Sequence, residues 1–391
     1  MTGLNETTVA VLGAGTMGAG IAQVAAQCGH RVILFDISEA ARQKALANLI
    51  RIMDRGVEKG RMTREQADGV LARISETDKL ESCRDCGLVI EAVIENLEIK
   101  RKLFTDLENL LAPEAILATN TSSLSIASIG AGCRRPERVL GVHFFNPAPL
   151  MPLVEIVPGV ATAPETIAQT RALIDAWGKT TVFAGDTPGF IVNRVARPFY
   201  GEAIRILEEG LADVATIDAA MKTQGGFRMG PFQLMDFIGH DINYTVTETV
   251  FTAFFFDPRY RPSFSQKRLV EAGRLGRKSG RGFYDYSPDA KQPEPKDDPQ
   301  LAETIVSRIL VMLINEAVDA VFWKVASPEH IDLAMTKGVN YPKGLLAWAN
   351  ERGLDKVLAH LQALQEEYSE DRYRPSPLLK RMVKQGRRFF E

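Results

Sequence analysis

Cysteine is scarce in this sequence, with 4 residues among 391, and histidine is nearly as scarce, with 5. So few cysteines cannot form the disulfide framework of a small secreted protein, and this favours a reducing, cytoplasmic location. Cys83 and Cys86 form a lone CxxC pair without the second pair that a zinc site requires. We interpret them as two thiols in a turn before a strand, and we predict no metal site.

Long apolar runs and an excess of one charge are also missing. No stretch approaches the roughly 20 apolar residues that span a bilayer, so we expect no membrane partner. The formal net charge is −2, with 47 Lys and Arg against 49 Asp and Glu. This balance argues against nucleic acid as a partner. The first residues lack the basic and apolar regions of a signal peptide. The length predicts two or three domains.

A glycine-rich turn near the start is the first motif that indicates function. The apolar run TVAVL predicts a buried strand, GAGTMG follows it, and an alanine-rich stretch then predicts a helix. Gly13 permits the tight turn, Gly15 lets a pyrophosphate approach the backbone, and Gly18 allows close packing of helix on strand. Unpaired N–H groups at the helix start would bind the phosphates of a dinucleotide. The candidate cofactor-binding residues of this turn are Gly13, Gly15, Thr16, Met17 and Gly18.

Asp36 ends the second predicted strand, HRVILFD, and indicates which dinucleotide binds. A carboxylate at this position accepts hydrogen bonds from the ribose hydroxyls and repels a 2′-phosphate. No arginine directly follows it, since the next residues are Ile, Ser and Glu. The sequence therefore predicts NAD rather than NADP.

Further strand-like runs alternate with helical segments up to about residue 186. This alternation predicts an α/β, doubly wound, Rossmann-type domain over residues 1–186 with a parallel sheet. Ligands of such sheets bind beyond the carboxyl ends of the strands. The polar residues that directly follow strands are therefore candidates for chemistry: Glu95, Asn120, Ser122 and His143.

His143 stands out because a carboxylate, Glu155, lies within the next apolar run, MPLVEIV. A glutamate in a buried strand is costly unless it is paired, and His143 is the obvious partner. Such a pair fixes the tautomer of the imidazole and raises its basicity. We interpret His143 and Glu155 as the general base and its partner.

The chain beyond residue 187 is predicted to be almost wholly helical and contains an internal repeat. The stretches from Gly201 and Asn315 match in one register, with Glu202/Glu316 and Asp218/Asp332 both 114 positions apart. A proline-rich, charged linker separates the copies. We predict two related all-α domains, 187–287 and 300–391. The second copy lacks the FIVNR motif and the GRKSGRGFYDY stretch of the first, so we expect the first to be functional and the second structural.

Seven motifs together resemble the 3-hydroxyacyl-CoA dehydrogenase family, over about residues 7–286. In order, they are GAGTMGAGIA, FD at Asp36, EAVIENLEIK, NTSSLSI, HFFNPAPLMPLVEI, DTPGFIVNR and GRKSGRGFY. The resemblance implies NAD-linked oxidation of (S)-3-hydroxyacyl-CoA thioesters, or the reverse reduction. The helical repeat resembles the duplicated C-terminal domains of longer members, which implies either a monomer with a dimer-like repeat or a homodimer.

The same resemblance assigns roles to individual residues. His143 matches the catalytic base and Glu155 its orienting partner. Ser122 and Asn193 match residues that hydrogen-bond the substrate near the reacting oxygen. The residues that match cofactor contacts are Glu95, Lys100, Asn120, Ser122, Asn146 and Lys278. The basic residues of the helix after the second strand are either contacts for the CoA phosphates or a solvated face: Lys44, Arg51, Arg55 and Lys59.

Two other functions remain open at this point. A sugar-acid dehydrogenase of the lambda-crystallin type shares the glycine turn and the His–Glu pair, and would need an arginine for a free carboxylate. A non-catalytic NAD-binding protein would have no need of His143 paired with Glu155. The aromatic stretch at 251–257, FTAFFFD, either lines an acyl pocket or, as we expect, packs in the core.

Overall fold

The computed structural model describes residues 7–391. The chain divides into two compact units, of which the first ends at Phe190 and the second spans Ile191–Glu391. Both copies of the predicted repeat lie in the second unit. The helical copies therefore share one compact body, where the sequence had predicted a domain for each. No helix in the described part of the chain is long and apolar enough to cross a membrane.

The first unit contains an eight-stranded sheet in the order β3-β2-β1-β4-β5-β6-β7-β8. Its strands are β1 Val9–Leu12, β2 Val32–Phe35, β3 Ile74–Thr77, β4 Leu88–Glu91, β5 Ile116–Thr119, β6 Val139–Phe144, β7 Leu153–Pro158 and β8 Thr180–Phe183. Every neighbouring pair is parallel except β6 and β7, which are antiparallel. The predicted doubly wound, parallel sheet is confirmed apart from this one pair, where residues 145–152 return the chain directly without the crossover that parallel strands need.

Helices cover the sheet, and its central strands are buried along their whole length. The helices of this unit are α1 Thr16–Gln27, α2 Glu39–Glu58, α3 Arg64–Ala72, α4 Leu97–Leu110, α5 Ile126–Gly130 and α6 Pro164–Ala176. The alanine-rich α1 contributes Ile21, Ala22 and Ala25 to the core, where small side chains let it pack closely on the sheet. This packing places the start of α1 at the carboxyl edge of β1.

The second unit is helical throughout, and its two copies follow the same order of elements. The first copy contains α7 Val192–Val195, α8 Arg197–Glu208, α9 Val214–Thr223, α10 Pro231–Ile238, α11 His240–Ala253 and α12 Phe264–Glu271. The second contains α13 Pro299–Phe322, α14 Pro328–Gly338, α15 Leu345–Arg352, α16 Leu354–Tyr368 and α17 Pro377–Lys384. The helices α8–α12 therefore correspond in turn to α13–α17.

Matching aspartates perform the same task in both copies. Asp218 accepts hydrogen bonds from the backbone N–H groups of Phe232 and Gln233 at the start of α10, both at 2.9 Å. Asp332 accepts the equivalent bonds from Leu346 and Ala347 at the start of α15, at 2.8 and 2.9 Å. These carboxylates satisfy N–H groups that a helix start leaves unpaired. The repeat is therefore a repeat of structure as well as of sequence.

Reciprocal buried ion pairs join the two copies. Arg194 of the first copy donates to Glu316 of the second at 2.6 Å, and Arg308 of the second donates to Glu202 of the first at 2.7 Å. The two pairs are equivalent, since Arg308 follows Arg194 by 114 positions as Glu316 follows Glu202. The second copy thus keeps the arginine of FIVNR in the sequence TIVSR, with Ser307 in place of the asparagine. The prediction that the second copy lacks this motif was wrong for the arginine, which is present as Arg308.

The aromatic stretch at 251–257 is more exposed than core packing predicts. Phe255 and Phe256 have positive φ angles of 54° and 64° just after α11, and they are 92% and 63% exposed. Phe254 alone packs closely on a buried aromatic ring, that of Tyr260, with centroids 4.5 Å apart. The expectation of core packing was therefore wrong for Phe255 and Phe256.

Candidate active site

The glycine-rich turn leaves the start of α1 open to a ligand. Gly13 has a φ of 102°, and a Cβ there would lie 2.6 Å from the carbonyl oxygen of Ala92. A Cβ on Gly18 would lie 1.8 Å from the carbonyl oxygen of Gly13, so only glycine fits either position. Gly15, the N-cap residue, has nothing within 4 Å of an added Cβ, and no side chain caps the helix. The backbone N–H groups at this point can therefore receive the phosphates of a dinucleotide.

Asp36 lies directly after β2 and faces this turn. One carboxylate oxygen accepts a hydrogen bond from the N–H of Ala14 at 2.8 Å, and the other accepts one from the N–H of Ser38 at 2.9 Å. Each oxygen keeps a further lone pair, which suits the hydroxyl groups of a ribose. Arg42 is the nearby cation, but it donates to Glu76 at 2.9 Å and to the carbonyl oxygen of Asp36. Its guanidinium is thus already engaged, and the site favours an unphosphorylated ribose.

A buried carboxylate and lysine organise the loops that follow β4 and β5. The ammonium group of Lys100, which is 1% exposed, lies 2.6 Å from Glu91 and 3.2 Å from Glu95. Glu91 is fully buried and also accepts bonds from the hydroxyl of Thr119 and the N–H of Val93, both at 2.7 Å. Because Lys100 is enclosed among these acceptors, its role in this arrangement is to hold Glu95.

Glu95 is the member of this group that reaches the surface. It accepts hydrogen bonds from the hydroxyls of Thr121 and Ser123 and from the N–H of Ser122 at 3.1 Å. Burial alone would raise the pKa of Glu95, but the attraction of Lys100 and these hydrogen bonds outweigh it and lower the pKa. Glu95 is therefore ionised near neutral pH and holds the backbone of the Asn120–Ser123 loop in place.

Glu91 was missed by the sequence analysis, although it ends a strand-like run. The usable signal was an acidic residue in an apolar strand, the same signal that identified Glu155. A charged residue within a buried strand must have a partner, and here the partner comes from the next helix, nine positions later.

His143 and Glu155 are directly opposite each other on the antiparallel strands β6 and β7. Nδ1 of His143 lies 2.7 Å from a carboxylate oxygen of Glu155. The histidine is 6% exposed and the glutamate 0%. The rings of Phe145 and Phe190 lie 4.6 and 5.7 Å from the imidazole. The carboxylate directs the proton of the neutral imidazole to Nδ1 and leaves Nε2 as the nitrogen that can accept a proton.

The predicted polar residues of the first unit lie in the loops that follow β5 and β6, the strand of His143. The side-chain oxygen of Asn120 accepts a bond from the N–H of Phe144 at 2.8 Å, which ties the end of β5 to the residue after His143. Ser122 is half-buried in the loop held by Glu95. Asn146 is exposed in the loop between β6 and β7, and Lys179 anchors that loop through the carbonyl oxygen of Met151 at 2.9 Å. The first unit thus brings the predicted residues to one edge of its sheet.

Two predicted residues belong to the second unit. Asn193 is half-buried in the short helix α7. Lys278 lies in the turn after α12, where its ammonium group is 2.7 Å from a carboxylate oxygen of Asp241. Their roles in substrate and cofactor binding remain predictions from the resemblance.

The remaining candidates lie on surfaces or in the core. Four basic side chains of α2 and its C-terminal end are exposed: Lys44, Arg51, Arg55 and Lys59. Their role toward CoA phosphates remains a prediction. Cys83 and Cys86 are both buried and free, at the end of a short 3₁₀ turn just before β4. Within residues 7–391, no group of three or more potential metal-ligating side chains is found.

An open dinucleotide turn and a buried His–Glu pair in one sheet define a dinucleotide-dependent dehydrogenase. Family models identify the group more narrowly. A model of the 3-hydroxyacyl-CoA dehydrogenase NAD-binding domain matches residues 8–187. A model of the C-terminal domain of the same family matches 189–286 and again 305–388. The chain therefore belongs to the 3-hydroxyacyl-CoA dehydrogenase family, whose first domain binds NAD, and it carries the C-terminal domain twice.

Individual relatives agree with this assignment. The chain is 40% identical to the 3-hydroxyadipyl-CoA dehydrogenase of Escherichia coli K12, over 96% of this chain and 97% of the relative. It is 44% identical to a probable 3-hydroxybutyryl-CoA dehydrogenase of Bacillus subtilis, over 71% of this chain and 96% of the relative. A crystal structure of 3-hydroxybutyryl-CoA dehydrogenase from Escherichia coli superposes with a TM-score of 0.93 and 39% identity, over 97% of this chain and 98% of that one. The protein is thus an NAD-dependent oxidoreductase.

Proposed function

We propose that this protein interconverts (S)-3-hydroxyacyl-CoA and 3-oxoacyl-CoA and that His143 carries the proton. The observation that supports this role most directly is the 2.7 Å contact of the buried His143 with Glu155. In the oxidative direction Nε2 of His143 takes the proton of the 3-hydroxyl group. Glu155 stabilises the imidazolium that this transfer creates, because the new positive charge faces its carboxylate. In the reductive direction the imidazolium returns the proton to the carbonyl oxygen.

The other site residues bind and orient. The start of α1 holds the pyrophosphate and Asp36 the adenosine ribose of NAD, which accepts the hydride from C3 when bound. We assign Ser122 to the substrate oxygen, where a hydroxyl donor stabilises developing negative charge. Asn193 has the same assignment from the resemblance alone. The substrate is an acyl-CoA thioester, and its basic contacts are expected on the exposed face of α2.

The direct test is an absorbance assay with acetoacetyl-CoA and NADH. We expect NADH to be consumed, with much slower consumption of NADPH at the same concentration. A protein of the sugar-acid type would leave NADH unchanged with the thioester and would instead reduce NAD in the presence of L-gulonate. That pair of results would overturn the thioester assignment.

The acyl group requires a panel of substrates of different length. The two relatives from Escherichia coli and Bacillus subtilis carry names for different acyl groups, a six-carbon dicarboxyl one and a four-carbon one. We propose the dicarboxyl class first, from the name of the relative that is 40% identical over 96% of this chain. The Escherichia coli crystal structure that matches 97% of this chain carries the four-carbon name, so the panel must include both substrates. A kcat/KM for 3-hydroxybutyryl-CoA that exceeds the value for 3-hydroxyadipyl-CoA would contradict this order.

Glu91 is expected to act on the cofactor through Lys100 and Glu95. In Glu91→Gln the carboxylate that holds Lys100 is lost, and Lys100 then pairs more closely with Glu95 and draws it from the Ser122 loop. We expect KM for NADH to rise about tenfold, the loss of about one charge-assisted hydrogen bond, with a smaller change in kcat. Glu98→Gln is the matched control, because Glu98 lies on α4, the helix that carries Lys100, and is 80% exposed. A fall in kcat with unchanged KM would count against this positioning role.

The preference for NAD is expected to depend on Asp36. The double variant Asp36→Ser with Ile37→Arg removes the carboxylate and adds a cation at an exposed position, since Ile37 is 84% exposed. The ratio of kcat/KM for NADPH to that for NADH should rise about a hundredfold, because repulsion is replaced by attraction. Ile37→Arg alone is the control and should change the ratio less. An unchanged ratio in the double variant would show that Asp36 does not select the cofactor.

A further inference from the structure

A cavity of about 810 Å³ lies in the helical unit, between its two copies. One wall comes from α8, α11 and α12 of the first copy. The other comes from the second copy and includes Tyr368, Glu370 and Arg372. Its volume is within the range of about 300–1,000 Å³ typical of small-molecule sites. The proposed reaction makes no use of this cavity.

Two nearly buried arginines line the cavity without a full set of hydrogen bonds. Arg205 and Arg372 are 9% and 4% exposed. The nearest carboxylate oxygen to Arg205 is that of Glu202, at 3.6 Å. Arg372 lies 3.5 Å from Glu370 and 3.8 Å from Glu209. Neither guanidinium donates a hydrogen bond to any other group in the described part of the chain, which is a costly condition for a buried cation.

The electrostatic surroundings of Arg205 also show that it lacks enough nearby negative charge. Burial lowers its pKa most, the carboxylate of Glu202 acts against this, and the nearby cations Arg372 and Arg261 lower it further. An arginine stays charged despite such a shift. An added anion in this cavity would therefore be attracted by both guanidinium groups.

The acidic residues in the walls are engaged elsewhere. Glu209 forms a two-point contact with Arg308 at 2.7 and 2.8 Å. Glu208 accepts a bond from the hydroxyl of Ser265 at 2.7 Å, and Glu248 accepts one from the hydroxyl of Tyr244 at 3.3 Å. Glu370 faces Arg372 at 3.5 Å, and Glu209 also lies 3.8 Å from it. The cavity therefore offers more unused donors than unused acceptors.

The repeat itself shows which group is missing. In the second copy the position of Arg205 is taken by Asp319, and in the first copy the position of Arg372 is taken by Arg259. There the carboxylate of Asp319 lies 2.6 Å from Arg259. One of the two equivalent places therefore holds an arginine and an aspartate, Arg259 and Asp319. The other holds two arginines, Arg372 and Arg205. A ligand carboxylate beside Arg372 would take the place that the carboxylate of Asp319 takes beside Arg259.

Aromatic side chains make up much of the remaining wall. They are Tyr200, Tyr244, Phe251, Phe256 and Phe264. Phe256 and Phe264 are 63% and 75% exposed, although large apolar side chains are usually covered. An apolar chain lying against these rings would bury them. We propose that the cavity binds a carboxylate on an apolar chain, a free fatty acid of short to medium length, with the carboxylate between Arg205 and Arg372.

The experiment is isothermal titration of the full chain with sodium octanoate. Octan-1-ol tests the need for the charge, and sodium phosphate tests whether any anion suffices. The variants are Arg205→Gln and Arg372→Gln, with Arg228→Gln as the matched control because Arg228 is exposed and lies outside the cavity. Arg261→Gln is a milder variant, since Arg261 is an exposed wall residue whose loss will not disturb folding. Circular dichroism verifies the fold of each variant.

We expect saturable binding of octanoate to the wild type and to Arg228→Gln. The Kd should rise about tenfold or more in Arg205→Gln and Arg372→Gln, and a few-fold in Arg261→Gln, because each removes a charge-assisted donor. No binding of octanoate, equal binding of octan-1-ol, or competition by phosphate at the same concentration would each overturn the proposal. Unchanged affinity in folded Arg205→Gln and in Arg261→Gln would also overturn it, since octanoate would then bind elsewhere, such as in an acyl-CoA cleft. These results are independent of turnover, so the proposed dehydrogenase reaction stands or falls separately.

Discussion

Replacing His143 by alanine is expected to lower kcat by about a hundredfold to ten-thousandfold, the usual contribution of a general acid or base. The imidazole is the proton acceptor of the proposed reaction, and water cannot replace it efficiently because the ring is 6% exposed and enclosed by Phe145 and Phe190. The affinity for NADH should change little, since the turn and Asp36, which are proposed to hold NAD, are elsewhere in the same unit. Single-turnover assays and fluorescence titration with NADH measure the two quantities.

Two further variants make this prediction sharper. Glu155→Gln keeps the shape of the pair but removes the charge that stabilises the imidazolium, so we expect a smaller loss of kcat than in His143→Ala. His330→Ala, at the start of a helix in the second unit, is the control for loss of a histidine. A His143→Ala enzyme with kcat within threefold of the wild type would refute the assigned role. Equal loss of NADH binding and of turnover would instead point to a disturbed fold.

Replacing Arg308 by methionine is expected to lower the free energy of unfolding by about 3–5 kcal/mol, the usual result of removing one partner from a buried ion pair. Arg308 donates to Glu202 and Glu209 and to the hydroxyl groups of Tyr368 and Tyr373. Its loss leaves Glu202, which is fully buried, without a cationic partner at hydrogen-bond distance. Urea unfolding followed by circular dichroism measures the change.

The control for this prediction is Lys343→Met, which removes an exposed ion pair with Glu351. Both side chains are more than two-fifths exposed, so the expected effect is below about 1 kcal/mol. The double variant Arg308→Met with Glu202→Gln should recover part of the loss, because no unpaired charge is then buried. If Arg308→Met costs no more than Lys343→Met, the reciprocal pairs do not stabilise the contact between the two copies.

This contact also bears on the oligomeric state. Reciprocal pairing of equivalent residues is typical of a twofold interface between identical subunits. Here both sides belong to one chain, so we infer that the second copy takes the place that a second subunit would take. Size-exclusion chromatography with light scattering should then give the mass of one chain. A stable dimer would show that another surface associates.

The local geometry of the candidate site could be anticipated from the sequence where a short pattern encodes it. The glycines of the turn, Asp36 and the residues at strand ends follow from short-range rules about turns, helix starts and strand edges. His143 and Glu155 were predicted as a pair because a buried carboxylate must find a cation or donor. Glu91 carries the same signal and was overlooked, because its partner Lys100, nine positions later, lies in a helix and not at the end of a neighbouring strand.

Long-range features were harder to predict. The antiparallel orientation of β7 depends on how residues 145–152 turn the chain. The apolar pattern of a strand does not indicate whether it pairs in a parallel or an antiparallel orientation. The exposure of Phe255 and Phe256 follows from two consecutive positive φ angles after α11, which the composition of the segment does not reveal. The sharing of one compact unit by both helical copies follows from side chains that meet across more than 100 positions, such as Arg308 and Glu202.

The sequence by itself determined the glycine-rich turn, the acidic residue proposed to favour NAD, the helical repeat and the pairing of His143 with Glu155. These are set by spacing along the chain and by the cost of burying an unpaired charge. Only the tertiary structure decided that Lys100 is held between Glu91 and Glu95 and that Arg205 and Arg372 line one cavity, whereas the equivalent residues Asp319 and Arg259 form an ion pair. The physical reason is that charges interact through space, and their neighbours are chosen by how helices and strands pack.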